Sequence, residues 1–369
     1  MADFLPTYLI YLAGFIASAV ISAYAVQKII FITRNRKIYD IPDDIRKIHG
    51  AEIPSLGGIG IFTGYIIVAA FFWPRVHFYM PYLLASTVIL FFTGIYDDLM
   101  NMRPYKKLLA QLIASFITVR FSEIRIDSLF GIAGIETIPY WASVGITTLV
   151  CTFFINVFNF IDGIDGLACM LAILYLGIIG TVFMITEHFA AAGICFALLG
   201  ATAGLLFYNF SPAKIYMGDT GSMFLGFNIV IFSLLLIQFF AQEHAFILNT
   251  PIVTPQKALM MVIAMLYLPI FDALRVFIIR GSKGISPLKA DRTHLHYYLL
   301  DAGFTHSRAA FILVGINVLI IAMAYLLIGL NPIIVLLAIT AFTFVLLFII
   351  YRLRQKHLRG NSLAGAHTD

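Results

Sequence analysis

Four polar stretches break into an otherwise apolar chain, and each holds residue types that could do chemistry. In YDDLMNMRPYKKLLAQ (96–111), Asp97 adjoins Asp98 at the end of an apolar run. Lys107 follows nine residues after Asp98, with Gln111 a helical turn further on. Neighbouring carboxylates raise one another's pKa, which suits a proton acceptor, and a nearby lysine suits an anionic substrate. One acid would have served as a helix cap. In NVFNFIDGIDGLA (156–168), Asn156 and Asn159 are three apart and so share one face of a helix end. Asp162-Gly163 and Asp165-Gly166 then break that helix twice, and glycine lets backbone come close to a ligand. Amide oxygens and carboxylates are hard ligands of the kind Mg2+ takes, usually together with substrate phosphates. A tight turn accounts for one Asp-Gly step, not for two beside a pair of asparagines.

In YNFSPAKIYMGDTGSMFLGF (208–227), the run from Gly218 through Asp219 and Thr220 to Ser222 opens an apolar helix. Free N–H groups at such a start make an anion site, and Asp219 can hold a cation there. Tyr216 offers a ring to a base, although a lone aromatic also serves as an interfacial anchor. RGSKGISPLKADRTHLHYYLL (280–300) gathers Arg280, Lys283, Lys289, Arg292, His294 and His296. The two histidines share a side only where the backbone is extended, and no third partner of zinc spacing accompanies them. The stretch reads better as a phosphate-binding arm. The segment from 34 to 62 adds Arg46, Lys47 and His49 ahead of Pro54 and Gly57-Gly58, a weak signal on its own.

The elements that must position these groups are membrane helices. The 369 residues are 61% hydrophobic and 12% charged, about half the charge of a soluble domain. Apolar runs of about twenty residues recur along the chain, long enough to cross a bilayer core of roughly 30 Å. The first run, Leu5–Ile32, is too long for a signal peptide and lacks a basic start. Eleven spans are expected, near 5–32, 56–73, 81–96, 107–121, 140–158, 167–186, 190–208, 221–241, 257–279, 308–328 and 333–351. The fold class is therefore all-α, a polytopic bundle with one catalytic domain over 1–351 and a basic tail over 352–369. A short external hairpin is expected within 124–141. Cys151, Cys169 and Cys195 show no metal or disulfide spacing and are expected to be small core residues.

Of the 24 Lys and Arg, 18 fall in or beside one set of alternate loops and four in the other set. That bias puts the first set in the cytoplasm, the N-terminus outside and the tail inside. The net charge of +5 is then mostly topology and calls for no nucleic acid. Asp97, Asp98, Asp162, Asp165, Asp219, Asp272 and Asp291 all fall on the same cytoplasmic face. Acids near membrane depth are costly and usually functional. Acids for a divalent metal, amides and phosphate-binding cations at one face describe phosphoryl transfer with a lipid substrate.

The motifs resemble those of the polyprenyl-phosphate N-acetylhexosamine-1-phosphate transferases, the family that includes the WecA, TagO and MraY enzymes. RKIHGAEIPSLGG, YDD, NVFNFIDGIDGLA, MGDTGS and DRTHLH occur in the family's order along nearly the whole chain. The resemblance implies transfer of a sugar-1-phosphate, most simply N-acetylglucosamine-1-phosphate, from a UDP-sugar to undecaprenyl phosphate with release of UMP. It implies Mg2+, with Mn2+ as a substitute, and a homodimer is a further expectation. By resemblance the catalytic set is Asp97, Asp98, Asp162, Lys107 and His294, and Asp219 with Asn159 holds the metal. Asp165, Asn209 and Tyr216 line the uridine pocket, while Arg280, Arg292 and His296 grip the sugar diphosphate; Asn156 joins the substrate-binding group. DRTHLHY is similar to the WecA and TagO pattern (DRxHxHH) rather than to three consecutive histidines of the MraY branch, and Tyr297 departs from it. The DGIDGLA form is similar to bacterial members, which implies the inner membrane. An MraY-type phospho-N-acetylmuramoyl-pentapeptide transferase and, from another class, a secondary transporter are the alternatives. The CDP-alcohol phosphotransferases are set aside because their DGxxAR run is missing.

Overall fold

In hydrocarbon each backbone N–H and C=O must be satisfied within its own segment, so apolar runs of this length fold as helices. The computed structural model describes residues 6–36, 53–72, 80–242, 254–284 and 292–365. Its helices are α1 (Thr7–Arg36), α2 (Gly57–Phe72), α3 (Met80–Met100), α4 (Pro104–Phe121), α5 (Tyr140–Ile161) and α6 (Leu167–Ile185). They continue with α7 (Phe189–Asn209), α8 (Gly218–Gln242), α9 (Pro255–Ser282), α10 (Leu295–Asp301), α11 (His306–Leu326) and α12 (Pro332–Gly365). No strand occurs among the described residues.

Each expected span falls on one of these helices, but among the described residues nine are long and apolar enough to cross a membrane. The other two differ for separate reasons. The 16 residues of α2 reach only about 24 Å at 1.5 Å per residue. The 18 residues of α4 carry Lys106, Lys107 and Arg120. The seven-residue α10 was not expected. The expected hairpin is absent too. Residues 124–139 double back, with Ile138 N–H donating to Asp127 O at 2.8 Å, yet they form a 3-10 turn at Ile132–Gly134 instead of paired strands.

The helix α8 is the hub, flanked by α2, α3, α5, α6 and α9. Met223, Phe224, Leu225, Phe227, Ile229, Ile231 and Phe232 are all buried, as an all-round apolar helix must be. A second layer of α1, α2 and α7 packs by close approach. A side chain at Gly200 or Gly204 would overlap the carbonyls of Phe15 or Ala19. The Ser18 and Ser22 hydroxyls donate to Ala197 O at 2.6 Å and Ala201 O at 2.7 Å. Lipid gives helices no hydrophobic drive to associate, so small residues and interhelical hydrogen bonds do this work. Leu12, Ile16, Val20 and Phe31 on α1, and Leu337, Phe344 and Phe348 on α12, are left exposed for the hydrocarbon. Cys151, Cys169 and Cys195 are free and buried, as expected.

One helix is interrupted from within. Pro269 lies inside α9 and has no N–H for the Met265 carbonyl one turn back. Asn317 of α11 donates its Nδ2 to Met265 O at 3.0 Å instead, and the Tyr175 hydroxyl of α6 donates to Asn317 Oδ1 at 2.9 Å.

Candidate active site

The first turn of α8 is brought to the site by glycines. Gly218 is left-handed at φ +73°, and a side chain there would crowd Asp98 Oδ2 at 2.7 Å and overlap Ser55 O. Main chain holds this corner: Gly57 and Gly58 N–H donate to Tyr216 O at 3.0 Å and Met217 O at 2.8 Å, and Tyr216 N–H donates to Pro54 O at 2.8 Å. A helix start leaves N–H groups without partners. Here Asp219 N–H and Thr220 N–H donate to Asp98 Oδ1 at 2.8 Å and Oδ2 at 2.9 Å. The Thr220 hydroxyl donates to Oδ2 as well. Asp98, from the last turn of α3, therefore caps α8, with its charge at the positive end of the helix.

Asp97 faces elsewhere. The Lys107 ammonium of α4 lies 2.9 Å from Asp97 Oδ2 and 2.8 Å from Asp219 Oδ2. Asn159 of α5 donates to Asp219 Oδ1 and, at 2.8 Å, to the Ser222 hydroxyl. Three helix ends thus converge on Asp219. Asn156, one turn deeper, donates to Gln111 Oε1 at 2.6 Å, and Gln111 is also 3.4 Å from the Met223 sulfur. Asn156 and Asn159 share a face as expected, but they serve different partners.

Beyond α5 the Asp-Gly steps fold against the same corner. Burial, with the Asp219 charge nearby, pushes the Asp162 carboxyl up to about 7, although Gly218 N–H donates to it. Burial alone would also raise Asp165; His306 Nδ1 at 3.3 Å, Ala213 N–H at 3.2 Å and the Ser211 hydroxyl hold it below its ordinary value instead. Asn209 is buried and accepts from Gly166 N–H at 3.1 Å while donating to Ile215 O at 3.0 Å. It shapes both loops.

The basic arm closes the other side. His294 sits just before α10 in extended backbone, with φ −66° and ψ 154°. Its Nδ1 lies 2.9 Å from Asp272 Oδ2 of α9, and Leu295 N–H donates to the same carboxylate. Arg275 donates to Asp272 Oδ1 at 2.7 Å and to the Thr293 carbonyl. The rings of His294 and His296 are parallel with centroids 5.5 Å apart, so they share a side through a helix cap rather than through a strand. The His296 Nε2 is buried without a hydrogen-bond partner among the described residues. It packs on Gly163, where any side chain would collide with it. Burial and the neighbouring His294 hold its pKa down to about 3, so it is neutral. Phe160 lies 5.7 Å from His294, ring to ring, which seats the arm on the end of α5. Arg292 pairs with Asp301 at 3.0 Å, and Arg280 is buried at the end of α9. Arg46, Lys47, His49, Lys289 and Asp291 lie outside the described residues.

Asp272, legible in the sequence only as one of the acids on that face, and Arg275, to which the sequence assigned no role, seat His294 and Thr293. Their signal was an acid and a base three apart within an otherwise apolar helix. Among the described residues no three His, Cys, Asp or Glu form a ready-made metal cluster. Asp97 and Asp219 nevertheless share one cation, Lys107, while Asp98 and Asp162 accept from the start of α8 beside them. That donor set fits a cation such as Mg2+, which binds through one or two carboxylates and takes its remaining ligands from water and phosphate.

Residues 80–237, from α3 into α8, match the model of glycosyl transferase family 4. A Bacillus subtilis (strain 168) protein named probable undecaprenyl-phosphate N-acetylglucosaminyl 1-phosphate transferase is 29% identical over 279 residues, 73% of this chain and 71% of its own. An Escherichia coli (strain K12) protein named undecaprenyl-phosphate alpha-N-acetylglucosaminyl 1-phosphate transferase is 29% identical over 287 residues, 76% of this chain and 73% of its own. A Mycobacterium tuberculosis protein named decaprenyl-phosphate N-acetylglucosaminephosphotransferase is 28% identical over 293 residues, 73% of this chain and 70% of its own.

Proposed function

We propose that this chain, whose residues 80–237 match the model of glycosyl transferase family 4, is a member of that family and transfers N-acetylglucosamine-1-phosphate from UDP-N-acetylglucosamine to undecaprenyl phosphate. UMP is released, and the site faces the cytoplasm from a bacterial inner membrane. The observation that carries this reading is the Asp219 corner, where Lys107 bridges two carboxylates and Asn159 meets the first turn of α8.

An oxygen of the lipid phosphate attacks the phosphorus that bears the sugar, the bond from that phosphorus to the UMP oxygen breaks, and UMP leaves. A phosphate monoester has its second pKa near 6, so the attacking oxygen is largely deprotonated at neutral pH. Asp219 and Asn159 would hold Mg2+, which supplies charge neutralisation for the phosphates and the leaving group. Lys107, between Asp97 and Asp219, orients anionic oxygen and screens it from the acids. Asp98 keeps α8 in place. Arg280, Arg292, His294 and His296 bind the diphosphate, and Asp165, Asn209 and Tyr216 frame the uridine.

A transporter would set such groups near the bilayer midplane, whereas here they gather where helices end. The test is purified protein with undecaprenyl phosphate, Mg2+ and a panel of UDP-N-acetylglucosamine, UDP-N-acetylgalactosamine and UDP-N-acetylmuramoyl-pentapeptide, scored by UMP release. Release with UDP-N-acetylglucosamine, abolished by EDTA and restored by Mg2+, is expected. Release only with the pentapeptide substrate, or with none, overturns the assignment.

A further inference from the structure

Asp301, at the end of α10, is shared between two arginines that have different surroundings. Its Oδ1 accepts from Arg292 at 3.0 Å, the arginine of the donor-binding arm. Its Oδ2 accepts from Arg354 of α12, through Nε at 3.0 Å and an NH2 group at 2.8 Å. Arg354 also lies 4.3 Å over the Tyr298 ring, which Arg275 approaches at 5.0 Å. Three residues along α12, His357 packs on Gly303, where a side chain would come within 2.8 Å of the imidazole. With 34 residues, α12 is about 51 Å long at 1.5 Å per residue, about 20 Å more than a bilayer core. The uncharged run of α12 ends at Tyr351, so the surplus length falls in the basic turns from Arg352 onward, at the end where the site residues gather.

We infer that Arg354 is a positioning residue for donor binding: through Asp301 it fixes Arg292, so the extra-membrane end of α12 sets affinity for the sugar-nucleotide diphosphate without touching it. The inference rests on the proposed function. The physical basis is the fork of the guanidinium. Two N–H groups of Arg354 converge on one oxygen of Asp301, Oδ2, with charge-assisted hydrogen bonds, and this leaves Oδ1 to Arg292. Arg292 is steadied on its other flank by the Tyr297 ring, 5.0 Å away. An exposed ion pair alone contributes little; this one is about two-thirds shielded at Arg292 and more so at Asp301 and Arg354, and it serves to aim a third group.

The test is steady-state kinetics with each substrate varied in turn, together with calorimetric binding of UDP-N-acetylglucosamine to detergent-purified protein. Arg354→Gln is expected to raise KM and Kd for UDP-N-acetylglucosamine about three- to tenfold, while kcat and the KM for undecaprenyl phosphate stay within about twofold. Arg354→Lys, which keeps the charge and loses the fork, is expected to fall between. The exchange Asp301→Arg with Arg354→Asp rebuilds an ion pair between α10 and α12 but sets a cation against Arg292, so donor affinity is expected to stay impaired. Wild-type donor affinity in the exchanged protein, or in Arg354→Gln, overturns the inference. If wild-type protein binds the donor but releases no UMP, the reaction assignment fails, and the binding shifts still decide the role of Arg354. If it does not bind the donor at all, both fall.

Discussion

The acidic corner and the basic arm hold their charges by different means. At the corner, main chain does the holding: Asp98 accepts α8 amides, Gly218 leaves no room for a side chain, and the 54–58 segment is hydrogen-bonded to 216–217. On the arm, side chains hold side chains. His294 rests on Asp272, Arg292 on Asp301, and Asp301 on Arg354. On the proposed reading, the groups that meet the bond being made are fixed by the ends of long helices, which cannot shift without the bundle. On the same reading, the groups that grip a large soluble donor are fixed by pairs that can yield. The corner should therefore govern turnover, and the arm should govern donor affinity.

The largest expected effect tests the corner. Asp219→Asn should lower kcat by about a thousandfold or more, since charge neutralisation at a metal is worth several kcal/mol. Its melting temperature should stay near that of the wild type. Substantial turnover in this variant, measured as UMP release, would remove Asp219 from the centre of the site. Next comes Asp98→Asn, which points an amide N–H at the two helix N–H groups that now donate to a carboxylate. Turnover should fall by about a hundredfold, because small misplacements at a reacting centre cost that much. The melting temperature should fall too. A variant that loses turnover at full thermal stability would mark Asp98 as a proton acceptor instead of a cap. On the arm, His294→Ala should lower kcat/KM for UDP-N-acetylglucosamine about tenfold, mostly through KM, with the KM for the lipid unchanged. An effect confined to kcat would break the division between the two regions.

The smallest effect is a pH dependence. The Asp162 carboxyl is raised to about 7, above its value of about 4 in an unfolded chain. The folded state therefore binds the extra proton between these values, and stability rises as pH falls from 8 toward 5. Thermal unfolding of ligand-free protein should show a gain of a few degrees over that window, and Asp162→Asn should flatten it. Parallel curves for the two proteins would separate Asp162 from the pH response.

Most of the helices were legible because a bilayer imposes a length. What escaped was whatever the bilayer does not impose. The seven residues of α10 are too few for a periodic signal, and His294 is not a residue that usually precedes a helix. The acids were legible as a group, yet nothing in the letters distinguishes Asp97 from Asp98. That distinction comes from the turn of α3, which aims one at Lys107 and the next at α8. Asn209 illustrates a different limit. Its motif implies a ligand contact, while the fold engages its amide between Gly166 and Ile215. Asp272 was visible as an acid, but its partner His294 is 22 residues away, a distance that no local pattern spans.

The interruption of α9 makes three residues on three helices into one unit of evolutionary exchange. Without Pro269, residue 269 would again donate to Met265 O, and the Asn317 amide would lose its purpose inside hydrocarbon. Without Asn317, both the Met265 carbonyl and the Tyr175 hydroxyl would be left unpaired there, a loss of several kcal/mol by the usual cost of stranded polar groups. Replacing both sides of a hydrogen bond with apolar groups, by contrast, is nearly neutral. Asn317→Leu should be damaging alone, and Pro269→Ala together with Tyr175→Phe should relieve that damage. The three positions are therefore coupled, and Asp272 lies on the same helix three residues on from the proline.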